Sequence, residues 1–366
     1  MSSTSIVIWF GVNIGVFLLL SLIQIPLRNK RLIPLRIILI VVKAVLALAV
    51  AYKVMVGEEL IFYKIDFYLA SVYVALVGDL VGDIVTLPIV IARKRKNSTP
   101  IQIVVSFLCF GAFLMYGTVN MQMAQGNPMT FKSSKLKQEH RVVFVSDLHV
   151  GTAQDMNTTE NTIVKLAAAS PEFIVLGGDI VDELTTKEEM EKTFELFGSL
   201  KIPVYFVYGN HDRQPTFAAT GENTFTPEEL ESAIEKNGIK ILKDEWINIS
   251  DDLVLFGRED ISRSERKPLA DIPARPSDAF VLLIDHSPYQ KEDITNSGAD
   301  LQLSGHSHAG QLFPLKTIYG LAGYDAYGNY HYGNTDLYVS SGAAGWGFPF
   351  RTEEACHYEI VTLSPQ

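Results

Sequence analysis

The 366-residue chain has two cysteines, too few for a disulfide framework. Cys109 lies inside an apolar run and Cys356 near the far end, so cysteine says nothing about redox compartment. Excess basic charge is also missing: 31 Lys and Arg face 41 Asp and Glu, a net charge of −10. A phosphate backbone attracts the opposite balance, so no nucleic-acid partner is expected. Internal repeats and low-complexity stretches are absent. Histidine is scarce too, with eight residues, and their positions carry most of the functional information.

Long apolar runs are abundant, but only in the first third. Runs at about 6–26, 34–56, 67–92 and 101–121 approach the ~20 residues needed to cross a bilayer. The first has no basic segment before it and three more runs follow, so it reads as a span rather than a cleaved signal. These features predict a four-helix transmembrane region over 1–122, a linker over 123–140 and a soluble domain over 141–366. The bilayer itself is thus the first expected partner.

Basic residues orient the spans. Arg28, Lys30, Arg31 and Arg36 lie between the first two, and Arg93, Lys94, Arg95 and Lys96 between the last two. The other side offers Lys64, Lys132, Lys135 and Lys137 beside Glu58 and Glu59. The bias predicts a cell-membrane protein whose soluble domain is extracytoplasmic. Within the spans, Asp79 and Asp83 share a helix face. At ~1.5 Å per residue, Lys43 and Asp83 reach the same depth of roughly 13 Å, which predicts either a structural ion pair between two helices or a polar cleft for a lipid headgroup or a proton.

The soluble part reads as layered α/β. Arg141–Ser146, Phe173–Leu176 and Val204–Tyr208 are β-branched or aromatic runs, separated by helical stretches at about 158–169 and 187–199. Such alternation implies parallel pairing with helices over the sheet. Short strand-like runs follow at 239–242, 246–249, 252–257, 280–284, 300–303, 337–340 and 357–363. Together they predict two packed sheets with helices outside, a four-layer α-β-β-α sandwich. The Gly/Tyr-rich stretch 319–333 reads as a loop.

Five segments concentrate the chemistry: Asp147-Leu-His149, Gly177-Gly178-Asp179-Ile-Val-Asp182, Gly209-Asn210-His211-Asp212, Asp285-His286-Ser287-Pro288 and Gly305-His306-Ser307-His308. They hold five of the eight histidines, and several begin just past an apolar strand, where open α/β sheets bind ligands. Imidazole, carboxylate and amide together make a ligand set for borderline divalent ions, with manganese, iron and zinc all suitable.

The ordered set resembles the calcineurin-like metallophosphoesterase superfamily, in particular its bacterial membrane-associated or exported branch. Val204–Asp212, Leu303–Gln311 and the closing Ser340-Ser-Gly with Pro349-Phe-Arg351 strengthen the likeness, which covers about 141–364. The resemblance implies two divalent ions. Asp147, His149 and His308 would hold one and Asn210, His286 and His306 the other, with Asp179 bridging. A hydroxide between the ions would be the nucleophile. His211 would act at the leaving oxygen, with Asp182 orienting it. Arg351 would bind phosphate, and Asp212 would satisfy turn backbone groups. Position 183 is Glu, where the superfamily's protein phosphatases carry Arg, which disfavours phosphomonoesters.

The expected function is a membrane-anchored phosphoesterase acting on a phosphodiester or phosphoanhydride of a membrane or cell-envelope substrate, lipid-linked ones included. The alternatives are an extracytoplasmic nucleotide phosphoesterase, and a membrane sensor or transporter with a metal-binding regulatory domain. Oligomeric state is not readable from the sequence.

Overall fold

The structure, a computed structural model, describes residues 3–24, 32–56, 60–92, 99–152, 154–215, 221, 223–273 and 278–366. It divides into two compact units, Met1–Asn120 and Met121–Gln366.

The first unit is built from α1 (Ser3–Gln24), α2 (Ile33–Val56), α3 (Leu60–Ala92) and α4 (Thr99–Gln122). All four helices are long and apolar enough to cross a membrane. Gly78 and Gly82 let α3 approach α4: a Cβ at Gly82 would lie 2.6 Å from Ser106 Cα. The predicted Lys43–Asp83 pair is present within a wider network. Lys43 Nζ also reaches Asp79 Oδ2 (2.5 Å) and Gln24 Oε1 (2.6 Å).

One part of the charge count needs correcting. Arg36, expected between spans, lies in α2, buried, donating to both Asp83 Oδ1 (2.6 Å) and Gln102 Oε1 (2.6 Å). Arg28, Lys30, Arg31, Arg93, Lys94, Arg95, Lys96, Glu58 and Glu59 lie outside the described residues.

The second unit contains two six-stranded sheets. In the first, β1 (Gln125–Ser133), β2 (His140–Val145), β3 (Phe173–Leu176), β4 (Val204–Phe206), β5 (Lys240–Ile241) and β12 (His357–Pro365) run in the order β1-β12-β2-β3-β4-β5. β2 through β5 are parallel neighbours. Their crossovers include α5 (Met156–Ala168), α6 (Lys187–Ser199) and α7 (Pro227–Lys236). Asp155 caps α5, and Thr186 with Glu189 and Thr226 with Glu229 form capping boxes on the other two helices.

The second sheet contains β6 (Glu245–Asn248), β7 (Leu253–Gly257), β8 (Phe280–Ile284), β9 (Leu301–Ser304), β10 (Gly328–Tyr332) and β11 (Thr335–Val339), ordered β10-β11-β9-β8-β7-β6. Its outer face is covered more thinly, by residues such as Ile294 of the short α8 (Lys291–Asn296). This is the expected layered α/β sandwich.

Continuous apolar strands are needed here because each sheet buries both faces. In β2, Val143 and Val145 pack with the helices, while Val142 and Phe144 pack against the other sheet. β8 divides the same way: Leu282 and Ile284 point to the inter-sheet core, Val281 and Leu283 to the outer layer.

Two segments differ from expectation. Residues 125–133, read as part of a linker, form edge strand β1, parallel to β12. Likewise 319–333, read as a loop, includes β10, paired antiparallel with β11. Before β10 comes the short helix α9 (Leu315–Leu321).

Candidate metal centre

The strand ends bring the five motif segments together. Asp147 and His149 follow β2, Asp179 follows β3, Asn210 and His211 follow β4, His286 follows β8, and His306 and His308 follow β9. Turning these side chains inward requires an unusual backbone. Asp147, His149, Asp179, His306 and His308 all have positive φ, between 42° and 73°. L-residues reach that region at a cost, and such strain collects at functional sites. Gly178 (φ 91°) is the position where a side chain is impossible, since a Cβ would lie 2.6 Å from His286 Nδ1.

Asp147, His149 and His308 present ligand atoms within 4.8 Å of one another, and so do Asp179, His286 and His306. Asp179 reaches both groups: its Oδ2 is 2.9 Å from His286 Nε2 and 3.9 Å from His149 Nε2. Asn210 joins the second group through Oδ1, 2.8 Å from His306 Nδ1. Thus the seven predicted ligands converge.

The surroundings prepare these rings as ligands. His286 Nδ1 faces the Gly177 carbonyl (2.8 Å), which holds a proton there and leaves Nε2, beside Asp179, as the atom that would face a cation. His149 Nδ1 faces Asp182 Oδ2 (3.0 Å), and its buried Nε2 has no hydrogen-bond partner. A buried ring nitrogen without a partner is costly unless a cation takes it. This donor set therefore fits divalent ions. Burial pushes His308 down to about 3 and lowers His306, helped there by His286, so both rings are neutral, as ligands must be. Burial also opposes charge on His286, but the Asp179 carboxylate overrides it and raises that ring.

Two expected roles are placed differently. Asp182 does not orient His211. It holds His149 and accepts from Thr152 Oγ1 (2.5 Å) and Leu184 N (2.9 Å). Buried Glu183, one residue later, takes His211 Nδ1 at 2.8 Å. Despite burial, the Glu183 and Asp179 charges lift His211 to about 10, so the ring is charged at neutral pH. Its side chain is 22% exposed, the opening of the site to solvent.

Arg351 is not available to phosphate. It is fully buried and donates to the carbonyls of Glu354, Ala344, His308 and Ser341 and to Cys356 Sγ. Those bonds occupy its N–H groups. By gripping His308 O it fixes the loop that carries a ligand. Asp212 has its expected role, accepting from the amides of Asp179, Ile180, Val181 and Gly209.

Sequence reading missed Glu183, whose spacing alone could not distinguish it from Asp182. It also missed Tyr289 and Trp346, whose rings lie 5.2 Å from His306 and 5.8 Å from His211. Within 213–226, a segment whose sequence leaves open whether it forms a lid, 216–220 and 222 lie outside the described residues.

Comparison with known proteins places this geometry. A family model for calcineurin-like phosphoesterases matches residues 140–310, and that part of the chain is a calcineurin-like metallophosphoesterase domain. A Helicobacter pylori protein described as an uncharacterized metallophosphoesterase is 30% identical over 242 residues, 63% of this chain and 62% of that protein. The chain thus spans less than two thirds of that relative's length. A Danio rerio transmembrane protein with metallophosphoesterase domain is 26% identical, covering 72% of this chain and 62% of its own. The Escherichia coli phosphodiesterase YaeI is 28% identical over 61% of this chain and 81% of its own.

Proposed function

We propose that this calcineurin-like metallophosphoesterase is a membrane-anchored, dinuclear-metal hydrolase of phosphodiester or phosphoanhydride bonds in a membrane or cell-envelope substrate. One observation carries the reading. Asp147, Asp179 and Asp182 are buried together among imidazoles, and among the described residues no Lys or Arg forms an ion pair with any of them. Buried carboxylates need compensating charge; His211 and His286 supply part of it, and divalent cations held at the neutral His306 and His308 and at the unpartnered Nε2 of His149 would supply the rest.

Asp147, His149 and His308 would hold one ion and Asn210, His286 and His306 the other, with Asp179 between them. Manganese, iron and zinc all suit these donors. When bound, two such ions supply an acidified water and neutralise phosphate oxygens. The chain's own groups do the rest. Glu183 keeps the His211 imidazolium charged and fixed at the mouth of the site, where Nε2 can donate a proton to the leaving oxygen. Asp182 holds His149 in one tautomer, and Arg351 steadies the His308 loop.

Substrate charge narrows the class. Arg213 is committed to Glu259 through two bonds, Arg266 to Asp285, and Arg351 to backbone carbonyls. With these arginines occupied and Glu at 183, a singly charged diester suits the site better than a monoester dianion. The phosphodiesterase name of the Escherichia coli relative points the same way. The spans favour a substrate in the bilayer, since tethering raises effective concentration. With Arg36 inside the bundle, the seven remaining basic residues between spans still favour an extracytoplasmic domain.

The test uses the full-length protein in detergent with manganese. Bis-p-nitrophenyl phosphate should be cleaved faster than p-nitrophenyl phosphate, and chelation should abolish the activity. Metal-loaded protein inert toward the diester would overturn the proposal.

A further inference from the structure

Four of the eight large apolar side chains that the described part of Met121–Gln366 exposes are Tyr289 (37%), Phe313 (62%), Leu321 (85%) and Tyr324 (53%). Scattered singly, exposed apolar residues mean little, but a cluster marks a binding surface. These are not scattered. Three fall within one twelve-residue segment, 313–324, built around the short helix α9. Tyr324 joins that segment to Tyr289, their rings 5.7 Å apart and edge-to-face. Tyr289 in turn packs edge-to-face on His306, with centroids at 5.2 Å. An aromatic path therefore leads from a candidate metal ligand to Tyr324, three residues along the chain from the exposed Leu321.

The segment is also poor in charge. Between Phe313 and Tyr324 the one ionisable group besides tyrosine is Lys316, which pairs with Glu354. No acid lies between Phe313 and Tyr324, and the helix end itself, Leu321-Ala322-Gly323, is exposed and carries no polar side chain. Lys291 Nζ ties the turn down by donating to Gly323 O (2.9 Å).

We propose that the Tyr289–Tyr324–Leu321 surface binds the hydrocarbon chain of the substrate, making this site specific for lipid-linked phosphodiesters. The proposal rests on the phosphodiesterase reading above and names its substrate class. A phosphate held beside His306 directs one of its ester groups along Tyr289, and an alkyl chain on that ester continues over Tyr324 to Leu321. Two tyrosine faces give an amphipathic wall suited to the polar start of such a chain, and the leucine suits its apolar continuation. The one occupant that explains both the apolar character and the continuity with His306 is a tail attached to the reacting phosphate.

The test is a series of alkyl p-nitrophenyl phosphates carrying methyl, octyl and hexadecyl groups, assayed with the manganese-loaded full-length protein in detergent. The leaving group is constant, so chain length is the one variable. Covering even one leucine-sized contact is worth ~1.5–3 kcal/mol, so kcat/KM should rise about tenfold or more from methyl to hexadecyl. In the Leu321→Asn, Tyr324→Ser double variant that ratio should fall by about tenfold, while methyl-ester kinetics stay within about twofold. Leu321→Asn alone, at the most exposed position, should lower the ratio by about threefold, so the proposal does not depend on the double variant folding. A ratio unchanged in Leu321→Asn overturns the proposal. So does an equal loss on the methyl ester, which is what docking of the domain on a bilayer would produce. Failure of the phosphodiesterase reading looks different: the wild-type protein would then cleave none of the series.

Discussion

Two of the regions in which the chain buries acidic residues balance their charge by opposite means. In the membrane unit Asp79 and Asp83 face Lys43 and Arg36, two anions against two cations, with Gln24, Gln102 and Thr86 adding hydrogen bonds. In the soluble unit Asp147, Asp179 and Asp182 are surrounded by histidines, with no Lys or Arg paired to them among the described residues. In the first cluster the carboxylates meet cations of the protein itself, and the bonds join all four helices. The second is open, with an unpartnered imidazole nitrogen at its centre, and has the donors to hold ions from outside. Burial alone does not distinguish a lock from a reactive centre; the origin of the compensating charge does.

The strongest way to break this comparison is to remove the carboxylate shared by both metal groups. Asp179→Asn should lower phosphodiesterase kcat/KM by more than about a hundredfold, beyond the usual range for residues that merely support ligands. Metal content measured on the same sample should fall with it. Activity retained at near wild-type levels would mean that the histidine cluster is structural. The mirror experiment is Lys43→Met, which leaves two carboxylates in an apolar bundle with Arg36 alone. Removing one partner of a buried pair costs about 3–5 kcal/mol. Far less folded protein should be recovered in detergent, while any folded fraction keeps its normal metal content.

A finer prediction separates two adjacent acids. Asp182→Asn should weaken metal affinity about 10–100-fold, because it loosens His149. Glu183→Gln should leave metal content intact and slow turnover, most for substrates with poor leaving groups, because it disturbs His211. Equal effects of the two substitutions on metal affinity would overturn this division of labour.

That division was beyond sequence reading, and the reason is physical. The five motif segments were legible because strand ends preceded them and because imidazoles and carboxylates are rare together. The two-sheet core was legible too, since runs such as Phe280–Ile284 are apolar on both faces. Which of Asp182 and Glu183 reaches which ring depends on a turn whose backbone follows a left-handed Asp179, and no residue pattern announces that geometry. Arg351 presents the converse problem. Its charge suggested phosphate, but the cage of carbonyls that consumes it is assembled from residues 308 to 354 by tertiary packing. Strand β1 was hidden for a third reason. Its partner β12 is more than 220 residues away, and its pattern is polar and contains Pro128, tolerated because the strand lies at a sheet edge.

β1 also supplies part of a third solution to burying an acid, and the smallest predicted effect. Glu359, in β12, is fully buried, and among the described residues no cation pairs with it. Its oxygens accept from Ser340 Oγ and Asn127 Nδ2, both at 2.7 Å. Burial pushes its carboxyl up to about 7, and the two hydrogen bonds oppose that shift without cancelling it. Below about 7 this acid is accommodated by holding a proton rather than by pairing. The sign follows from linkage. Between the unfolded value of 4.5 and about 7 the folded state keeps a proton that the unfolded state releases. The stability this contributes is full below 4.5, is lost as pH rises toward 7, and then stays lost. Glu359→Gln cannot ionise, so it should be more stable than wild type above neutral pH by about 1–3 kcal/mol. That difference should shrink toward acid as the wild-type carboxyl regains its proton. Denaturation of both full-length proteins across this range, read as the difference between them, cancels the titration of every other acid. A difference that stayed flat with pH would show that Glu359 is ionised in the fold and that its two hydrogen bonds suffice to keep it so.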